Sequence, residues 1–545
     1  MHTISSVSVK NFRSILDQSF ELNPCTPIVG RNNTGKSNLL QAIQWCLKKS
    51  TLTENDFNTP DQPVEVTMKI DGISKDVLGG IDKKHRNAIE AYVIDASLTI
   101  RRIQPSPSSK AVEIKLFLRG EDEEWNANPS GIDNAIKALL PEPILIKAMD
   151  NAAEDTSKNS ATSTIGRLLK DILPSLNSKY SKDISDALSD IKEQISSDGK
   201  NRDADLEQAD KGIGDALNDF FPGLSPTIEI PIPEFTDVFK SATLKLKENG
   251  EHRDVASMGH GAQRSLQMAL IKHLSTLQNG GSAQTTLLLI DEPELYLHPQ
   301  AIETVRIALR DLTTNGYQVV FTTHSASMIK QENIKNTLIF RKDVKKGSHT
   351  LPTMRTTIQS IMANHQHQTD VIFELHNASE FLFSDKVLLM EGKTENILIP
   401  KAYETYHRHS MAFDGVAAIS VGGSPNLKNA KEILNAMGFS TFILADLDYI
   451  YKQRKTLLPD GELENAKTFF ANHSDITRGD DGLPKRNGNT TAADCFALYA
   501  QDAGSEDRMQ AVHADCRMSG IWVWKHGTIE TQFNISGKTP EARKQ

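Results

Sequence analysis

The most constraining feature of this chain is a glycine-rich loop placed between a short strand and a helix. Pro27-Ile-Val-Gly30 is a predicted strand that runs into Gly30-Arg-Asn-Asn-Thr-Gly-Lys36-Ser37, and the next segment, 38–47, has apolar residues at helical spacing. The loop matches GxxxxGK[ST] at every specified position and has the strand and helix that this motif requires. Its backbone N–H groups and the helix amino terminus suit a phosphate group. A glycine-rich turn with a chance lysine is disfavoured because motif and flanks agree, so we predict a nucleotide site with Lys36 at the β/γ-phosphates and Ser37 on Mg²⁺.

Three later segments are each weaker but follow in a fixed order. Ser257-Met-Gly-His-Gly261 precedes a helix, a turn shape that also suits phosphate. Thr286-Leu-Leu-Leu-Ile-Asp291-Glu292-Pro is an apolar strand that delivers two carboxylates to its carboxyl end, where open α/β sheets place ligands. One acid of such a pair holds Mg²⁺ and the next polarises a water. Tyr317-Gln-Val-Val-Phe-Thr-Thr-His324 is a strand ending in histidine, which taken alone is more often structural.

In this order, the four segments resemble the ABC-type ATPases, specifically the heads of the SMC/Rad50/RecF group, over roughly residues 1–345. The resemblance implies that ATP and Mg²⁺ are cofactors, that Glu292 activates water and that His324 lies near the γ-phosphate. The signature turn departs from Leu-Ser-Gly-Gly-Gln, and no Q-loop glutamine is placed. The residues implied to contact nucleotide, its metal or the nucleotide of a second subunit are Arg13, Gly30, Asn32, Asn33, Gly35, Lys36, Ser37, Ser257, Gly259, Gly261 and Asp291.

Composition restricts the class of protein. A chain of 545 residues holds about three or four domains, at roughly 150 residues each. The net charge of -9 disfavours a basic surface overall, so nucleic-acid contact requires local patches. The cysteines form no CxxC or zinc spacing, no apolar run is long enough to span a membrane, and no signal-peptide pattern is present. We expect a cytoplasmic multidomain protein.

The middle of the chain is predicted to contain a helical insertion. Segments 64–70, 92–103 and 111–118 are predicted strands, and polar stretches follow at 151–163 and 196–211. Between these stretches, apolar residues at helical spacing predict two amphipathic helices, over 165–176 and 184–195. They form either a lobe packed on its own domain or a dimerisation element, and both interpretations remain open. Neither helix is long enough for an extended coiled-coil arm.

The carboxy-terminal part predicts a second, acidic site. Strands at 386–390, 416–421, 441–445 and 521–524 alternate with helical segments, which indicates a parallel sheet with its carboxylates at one edge. Carboxylates without a nearby Cys or His pair suit Mg²⁺ or Mn²⁺ rather than zinc. Taken singly, each acid is as readily a helix cap or a solvated charge. The predicted metal ligands are Glu391, Glu395, Asp446, Asp448 and Glu530, and Lys525 is a candidate cation for the phosphate.

The pattern Glu391-Gly-x-x-Glu395 followed by Asp446-x-Asp448 resembles a Toprim domain, a metal-dependent module of topoisomerases, primases and nucleases. An ABC head joined to a Toprim domain resembles the OLD (overcoming lysogenisation defect) family of ATP-dependent nucleases. The resemblance implies an α/β fold: an ABC-type P-loop head with an inserted helical dimerisation element, then a Toprim domain with a parallel sheet. It implies a metal-dependent DNA endonuclease gated by an ATPase dimer and serving anti-phage defence. Implied partners are DNA, a second copy of the chain, and a helicase-like protein or a retron reverse transcriptase with its single-stranded DNA.

The predicted boundaries are 1–150 for the first ATPase lobe, 151–215 for the helical insertion, 216–345 for the second lobe, 346–384 for a linker and 385–545 for the Toprim domain. A basic run beside the Toprim domain is the predicted DNA contact, although charge runs are usually solvated faces. Its residues are Arg341, Lys342, Lys345, Lys346 and Arg355. The alternative function is an SMC/RecF-like repair ATPase with a regulatory, non-cleaving Toprim domain. The motifs leave open whether ATP activates or restrains cleavage.

Overall fold

A computed structural model describes residues 2–127, 131–140, 143–148, 186, 191, 193–198, 200–218, 220–230, 244–248, 250–278, 285–361, 378–488, 490–502 and 504–533. The chain divides into two compact units, one of residues 1–145, 284–292 and 318–545 and the other of residues 146–283 and 293–317. Of the predicted insertion, the helix over 165–176 and most of the helix over 184–195 lie outside the described residues. No helix among the described residues is long and apolar enough to cross a membrane.

The larger sheet has twelve strands. They are β1 (Thr3–Phe12), β2 (Ile15–Glu21), β3 (Cys25–Gly30), β4 (Val64–Asp71), β5 (Ser97–Gln104), β6 (Lys115–Arg119), β7 (Trp125–Ala127), β8 (Ile144–Ile146), β11 (Thr286–Ile290), β12 (Tyr317–Thr323), β13 (Leu338–Asp343) and β14 (Gly347–Thr350). Their order in the sheet is β7-β6-β5-β4-β1-β2-β14-β13-β3-β12-β11-β8. From β7 to β2 the neighbouring strands are antiparallel, whereas β3 pairs in parallel with both β12 and β13.

Strands β11 and β12 are buried along their whole length, as expected for continuous apolar runs covered on both faces. Strands β4 and β5 alternate buried and more exposed positions, as expected for strands with one solvated face. The α-helices of the first unit that lie within residues 1–361 are α1 (Lys36–Leu47), α2 (Lys75–Gly79), α3 (Lys83–Ile89), α4 (Ile132–Leu139), α8 (Gln331–Ile334) and α9 (Met354–Ile361).

The second unit contains an exposed hairpin of two short antiparallel strands and three helices in its described residues. These elements are β9 (Lys245–Glu248), β10 (Glu251–Asp254), α5 (Ala204–Asn218), α6 (His260–Gln278) and α7 (Pro299–Thr314). Helix α7 begins after His298, whose side chain accepts a hydrogen bond from Ala301 N, and Pro299 occupies its first position, where a missing N–H costs nothing.

A four-stranded sheet forms the carboxy-terminal part of the first unit. Its strands are β15 (Lys386–Met390), β16 (Val416–Ser420), β17 (Ser440–Ala445) and β18 (Ile521–Val523), in the order β16-β15-β17-β18. All three pairings are parallel, which confirms the predicted parallel sheet and the α/β class. Its helices are α10 (Lys393–His407), α11 (Ser424–Ala436), α12 (Asp448–Gln453), α13 (Glu462–Ala471), α14 (Ala492–Ala500), α15 (Ser505–Met518) and α16 (Ile529–Gln532).

Two hydrophobic cores meet at β3. Ile28 belongs to the core under the twelve-stranded sheet, whereas Val29 belongs to a core shared with Val387 and Leu389 of β15. Because successive residues of a strand point to opposite faces, β3 has the ATPase core on one side and the carboxy-terminal core on the other. The two sheets of the first unit are therefore packed together through the strand that leads into the phosphate loop.

Candidate functional site

The phosphate loop forms a cavity of about 510 Å³ at the end of β3. Lys36 is 5% exposed, and its Nζ donates hydrogen bonds to the carbonyls of Gly30 at 3.1 Å and Arg31 at 3.0 Å. Gly35 has φ +94°, and a Cβ added there would lie 2.6 Å from Ser14 Oγ, so the loop needs glycine at this position. The lining residues, all but Thr34 and Asn38 predicted from sequence, are Asn32, Asn33, Thr34, Gly35, Lys36, Ser37, Asn38, Glu292 and His324.

Strand β11 brings Asp291 to Ser37, a residue 254 positions earlier in the chain. Ser37 Oγ lies 2.8 and 2.9 Å from the two Asp291 carboxylate oxygens, so one hydroxyl and one carboxylate face each other where a nucleotide-bound cation would sit. Oxygen donors of this kind suit Mg²⁺. The sequence placed both residues at this site, and the structure brings them together.

Thr322 of β12 organises the acidic pair and was missed by the sequence reasoning. Its buried hydroxyl donates to Asp291 Oδ1 at 2.5 Å and accepts a hydrogen bond from Glu292 N at 3.0 Å. Glu292 has φ +50°, a left-handed conformation that costs energy in a non-glycine residue. Thr322 therefore holds the carboxylate of one acid and the backbone of the other. No local motif marks it, because a threonine in an apolar strand is ordinary.

His324 lies beside Glu292, with Nε2 3.3 Å from Oε1. Burial lowers the pKa of His324, and the nearby Lys36 ammonium lowers it further, against the opposing effect of Glu292 and Asp291. A lowered pKa keeps the imidazole neutral at pH 7, so one ring nitrogen can donate and the other can accept. The neutral ring therefore has a single N–H, which can serve one acceptor such as the Glu292 carboxylate.

Arg13, a predicted nucleotide contact, is held elsewhere. Its guanidinium donates to Asp56 Oδ1 from Nε at 2.9 Å and from a terminal nitrogen at 2.8 Å, and it reaches Asn38 Oδ1 at 3.4 Å. It does not line the cavity. Arg13 is thus paired with Asp56 next to a cavity-lining residue, and its contact with nucleotide stays a prediction.

The predicted signature turn belongs to the second unit. Ser257 Oγ donates to Asp254 O at 2.7 Å, and Gly259 leads into α6. A Cβ on Gly261 would lie 2.9 Å from Tyr296 O, so the helix packs closely against that segment. The assignment of this turn to the nucleotide of a second subunit stays a prediction.

A second site lies at the carboxyl ends of β15 and β17. These strands are neighbours in parallel register, with Met390 opposite Leu444, so Glu391 and Asp446 emerge at the same edge of the sheet. One ligand atom from each of Glu391, Asp446 and Asp448 lies within 4.8 Å of the others. Asp446 and Asp448 are each 7% exposed. Three carboxylates without Cys or His form a donor set that fits a hard divalent cation such as Mg²⁺ or Mn²⁺.

The other predicted ligands do not join this group. Glu395, 4% exposed, lies one turn into α10, and Glu530 accepts a hydrogen bond from Thr394 Oγ1 at 3.0 Å, which ties α16 to α10. Five carboxylates were predicted, and three meet within the described residues. Glu395 and Glu530 lie on α10 and α16, and their roles as metal ligands stay predictions.

Two cations have different places around the acidic group. Lys452, missed by the sequence reasoning, lies with Nζ 3.5 Å from Asp448 Oδ2, four residues further along α12. The i,i+4 spacing on a helix was the signal that would have found it. Lys525 lies near His513, whose pKa is lowered first by burial and then by the Lys525 charge.

Four residues of the predicted DNA contact, all but Arg355, lie on the β13–β14 hairpin of the larger sheet. Arg341 is turned inward: it donates to Ser384 O at 2.6 Å and lies over the Phe439 ring, 5.6 Å from its centre. Arg341 is therefore held by protein contacts, and its role as a DNA contact stays a prediction. Lys345 and Lys346 are exposed at the hairpin turn, where their backbone N–H groups donate to Asp343 Oδ1 at 2.8 and 2.6 Å.

Two family models match separate parts of the chain. Residues 25–329 match the family model described as "AAA domain, putative AbiEii toxin, Type IV TA system", and residues 382–448 match "Overcoming lysogenization defect protein-like, TOPRIM domain". The chain is 35% identical to the Old nuclease of Escherichia phage P2 over 99% of its own length and 94% of that protein.

Two more distant relatives cover most of the chain. Identity is 22% to the OLD nuclease of Thermus scotoductus, with 82% of each chain covered, and 20% to the endonuclease GajA of Bacillus cereus, with 83% of this chain and 76% of that protein covered. Among solved structures, an Smc head bound to the winged-helix domain of ScpA aligns over 65% of this chain and 98% of its own, with 15% identity and a TM-score of 0.39.

Proposed function

The chain belongs to the OLD nuclease family, and on that premise we propose that it is an ATP-hydrolysing, divalent-metal-dependent DNA endonuclease. The observation that carries the proposal is the meeting of Glu391, Asp446 and Asp448 at one edge of a parallel sheet. Like charges held this close destabilise the fold unless a cation compensates them, so the arrangement supports a bound divalent metal ion of the kind that a nuclease uses.

At the acidic site, the three carboxylates hold the cation and Lys452 compensates the charge of Asp448. A divalent ion bound there, Mg²⁺ or Mn²⁺, would supply the attacking hydroxide and stabilise the leaving oxygen. The neighbouring turn keeps the two aspartates in place, because Leu447, between them, donates its backbone N–H to Gly527 O at 2.8 Å. Lys525, at the end of β18, is proposed to approach the DNA phosphate.

At the ATPase site, Lys36 binds the β/γ-phosphates, and Ser37 and Asp291 hold the nucleotide's cation. Glu292 orients and deprotonates the attacking water, with His324 beside it as a neutral hydrogen-bonding partner. Supporting this division of roles, Asp291 faces Ser37 whereas Glu292 lines the cavity next to His324.

The assembly belongs to the same proposal. The signature turn, Ser257 with Gly259 and Gly261, would bind nucleotide of a second subunit, so a homodimer or higher homo-oligomer is expected. The exposed Lys342, Lys345 and Lys346, with Arg355, would contact DNA.

We further propose the domain boundaries given above, with the β13–β14 hairpin assigned to the ATPase sheet, and a role in anti-phage defence beside a helicase-like or retron-type partner. Plaque counts that stay unchanged in cells expressing the chain would contradict the defence role.

The decisive experiment is cleavage of supercoiled plasmid with Mg²⁺ or Mn²⁺, with and without ATP. Glu391→Ala is expected to abolish cleavage and to leave ATP hydrolysis intact, because Glu391 lies at the acidic edge and outside the phosphate-loop cavity. Lys36→Ala is expected to abolish ATP hydrolysis. Glu464→Ala is the matched control, since this exposed acid of the same domain pairs only with Lys467 among the ion pairs of the described residues.

Cleavage that persists in Glu391→Ala would contradict the metal-site assignment. A wild-type protein that hydrolyses ATP and binds DNA but never cuts it would instead favour a repair ATPase with a regulatory Toprim domain.

A further inference from the structure

An ion pair joins the phosphate loop to the four-stranded sheet β16-β15-β17-β18 (the nuclease sheet). The chemistry proposed for the two active sites does not use this pair. Arg31, the second residue of the loop, places a terminal guanidinium nitrogen 2.9 Å from Asp385 Oδ2. Asp385 immediately precedes β15, and Glu391 immediately follows that strand. The pair therefore links the ATPase loop to the start of the strand whose other end carries a predicted metal ligand.

The backbone of Arg31 contacts the phosphate-binding lysine. Lys36 Nζ donates to Arg31 O at 3.0 Å, and Thr34 Oγ1 donates to the same carbonyl at 2.8 Å. A lysine that moves to the β/γ-phosphates exchanges its carbonyl contacts for phosphate contacts. Nucleotide binding therefore changes the hydrogen bonding of Arg31 directly.

On the nuclease side, Asp385 is held by a second arginine and by a neighbouring turn. Arg341 Nε lies 3.9 Å from Asp385 Oδ1, and its terminal nitrogen donates to Ser384 O. The backbone N–H groups of Asp385 and Lys386 both donate to Gly415 O, at 2.8 and 3.0 Å. These contacts give the carboxylate of Asp385 a defined position that Arg31 engages.

Gly415 leaves room for this contact. It has φ +67°, and a Cβ added there would lie 2.5 Å from the terminal nitrogen of Arg31. Gly415 also immediately precedes β16, the other neighbour of β15. The guanidinium thus lies against the amino-terminal ends of two strands of the nuclease sheet.

The pair is too exposed to serve mainly in stability. The Arg31 and Asp385 side chains are 51% and 45% exposed, and ion pairs at such positions contribute little to folding. The shared core of Val29 with Val387 and Leu389 already packs the two sheets together. Folding does not need the Arg31–Asp385 contact. The contact can therefore differ between the nucleotide-bound and the nucleotide-free protein.

We propose that Arg31 is a positioning residue that couples nucleotide occupancy of the phosphate loop to the metal-dependent cleavage site through Asp385. The inference rests on the proposed function. Nucleotide binding rearranges the Arg31 backbone, the Arg31–Asp385 contact transmits the change to the start of β15, and β15 shifts Glu391 relative to Asp446 and Asp448. The coupling is a difference in free energy between two sites, so it acts in both directions.

The test uses the full-length protein carrying Asp385→Asn, which keeps the shape of the side chain and removes its charge. The measured quantity is the rate of metal-dependent plasmid cleavage with a non-hydrolysable ATP analogue divided by the rate without it. In wild type we expect this ratio to differ from one by about fivefold or more, in either direction. In Asp385→Asn it should approach one, while cleavage without nucleotide and ATP hydrolysis change by less than about twofold, as expected for loss of an exposed pair.

A charge exchange tests the pairing itself. Arg31→Asp should lose the nucleotide response, and Arg31→Asp combined with Asp385→Arg should regain most of it, a rescue that a merely structural disturbance would not produce. Asp17→Asn is the matched control, since Asp17 forms an exposed ion pair with Lys10, 3.5 Å apart, at the β1–β2 hairpin. It should keep the wild-type ratio.

A second readout does not depend on cleavage. By reciprocity, DNA with Mn²⁺ should alter the affinity of wild type for a fluorescent ATP analogue, and Asp385→Asn should reduce that effect. An unchanged cleavage ratio in Asp385→Asn, or a wild-type ratio of one, overturns the inference and leaves the proposed function standing. A wild type without metal-dependent cleavage overturns the proposed function instead.

Discussion

At the scale of single residues, the ATPase site depends on a hydroxyl that no motif specifies. Thr322 is fully buried, and its Oγ1 contacts both members of the acidic pair, the carboxylate of Asp291 and the backbone of Glu292. Glu292 has a left-handed backbone conformation, so it needs support from its surroundings. Glu292, the proposed base for ATP hydrolysis, is thus positioned by a neighbouring strand as well as by its own.

Thr322→Val, which has nearly the same shape but no hydroxyl, is therefore expected to lower kcat for ATP hydrolysis. Removal of a hydrogen bond to a charged group costs about 1.5–3 kcal/mol, which corresponds to about a 10- to 160-fold lower rate. The measurement is steady-state phosphate release, and Thr322→Ser should recover most of the activity because it restores the hydroxyl.

Thr26→Val supplies the control for this prediction. Thr26 is equally buried, on β3, and its hydroxyl bonds only Asn23 among the hydrogen bonds of the described residues. Equal decreases of ATPase activity in the two valine variants would mean that Thr322 contributes to stability alone.

At the scale of elements, the acidic site depends on a tight turn after β18. Gly527 has φ +97°, and a Cβ added there would lie 2.5 Å from the Cβ of Ala497 on α14. The carbonyl of Gly527 accepts the hydrogen bond from Leu447, between the two aspartates. The close approach of turn and helix therefore sets the segment that carries Asp446 and Asp448.

Gly527→Ala should consequently weaken both folding and metal binding. Overpacking of this kind costs about 1–3 kcal/mol, in addition to the strain of a positive φ. Thermal unfolding and calorimetric titration with Mn²⁺ measure the two effects. Gly504→Ala isolates the backbone strain, since Gly504 has φ +79° with nothing within 4 Å of the added Cβ. Matching values of Tm and Mn²⁺ affinity in the two variants would rule out the proposed packing role.

At the scale of the whole molecule, a net charge of -9 means that general electrostatic attraction does not favour DNA. The proposed DNA contacts are therefore local, such as the exposed Lys345 and Lys346 at the β13–β14 turn. Because Asp343 caps the turn through backbone N–H groups, the lysine side chains can be changed without breaking it.

Reversal of both charges, Lys345→Glu with Lys346→Glu, should weaken DNA binding and lower the slope of log affinity against log salt by about 0.9 for each phosphate group that the protein no longer neutralises. Fluorescence anisotropy over a salt series measures both quantities. Lys83→Glu with Lys84→Glu on α3 changes the net charge equally and should have a smaller effect. The same slope in wild type and the hairpin variant would remove this surface from the DNA interface.

Local spacing accounts for what the sequence predicted well. The phosphate loop, the apolar strands ending in Asp291 and His324, and the strands preceding Glu391 and Asp446 are encoded by neighbouring residues, and the structure has them at those places. Spacing did not predict the partners that three candidate site residues have within the protein. Arg13 pairs with Asp56, Arg341 turns toward Ser384, and Glu530 binds Thr394.

The sequence by itself determined the two chemistries, because a glycine loop and acids after apolar strands are set by periodicity and by the ends of elements. Only the tertiary structure decided which residues meet. The Ser37–Asp291 contact was inferred from a motif. The contacts of Thr322 with Asp291 and of Arg31 with Asp385 depend instead on the order of the strands and on the packing of one sheet against another. Contacts between residues far apart in the chain depend on how the elements pack, and short-range patterns carry no signal for that.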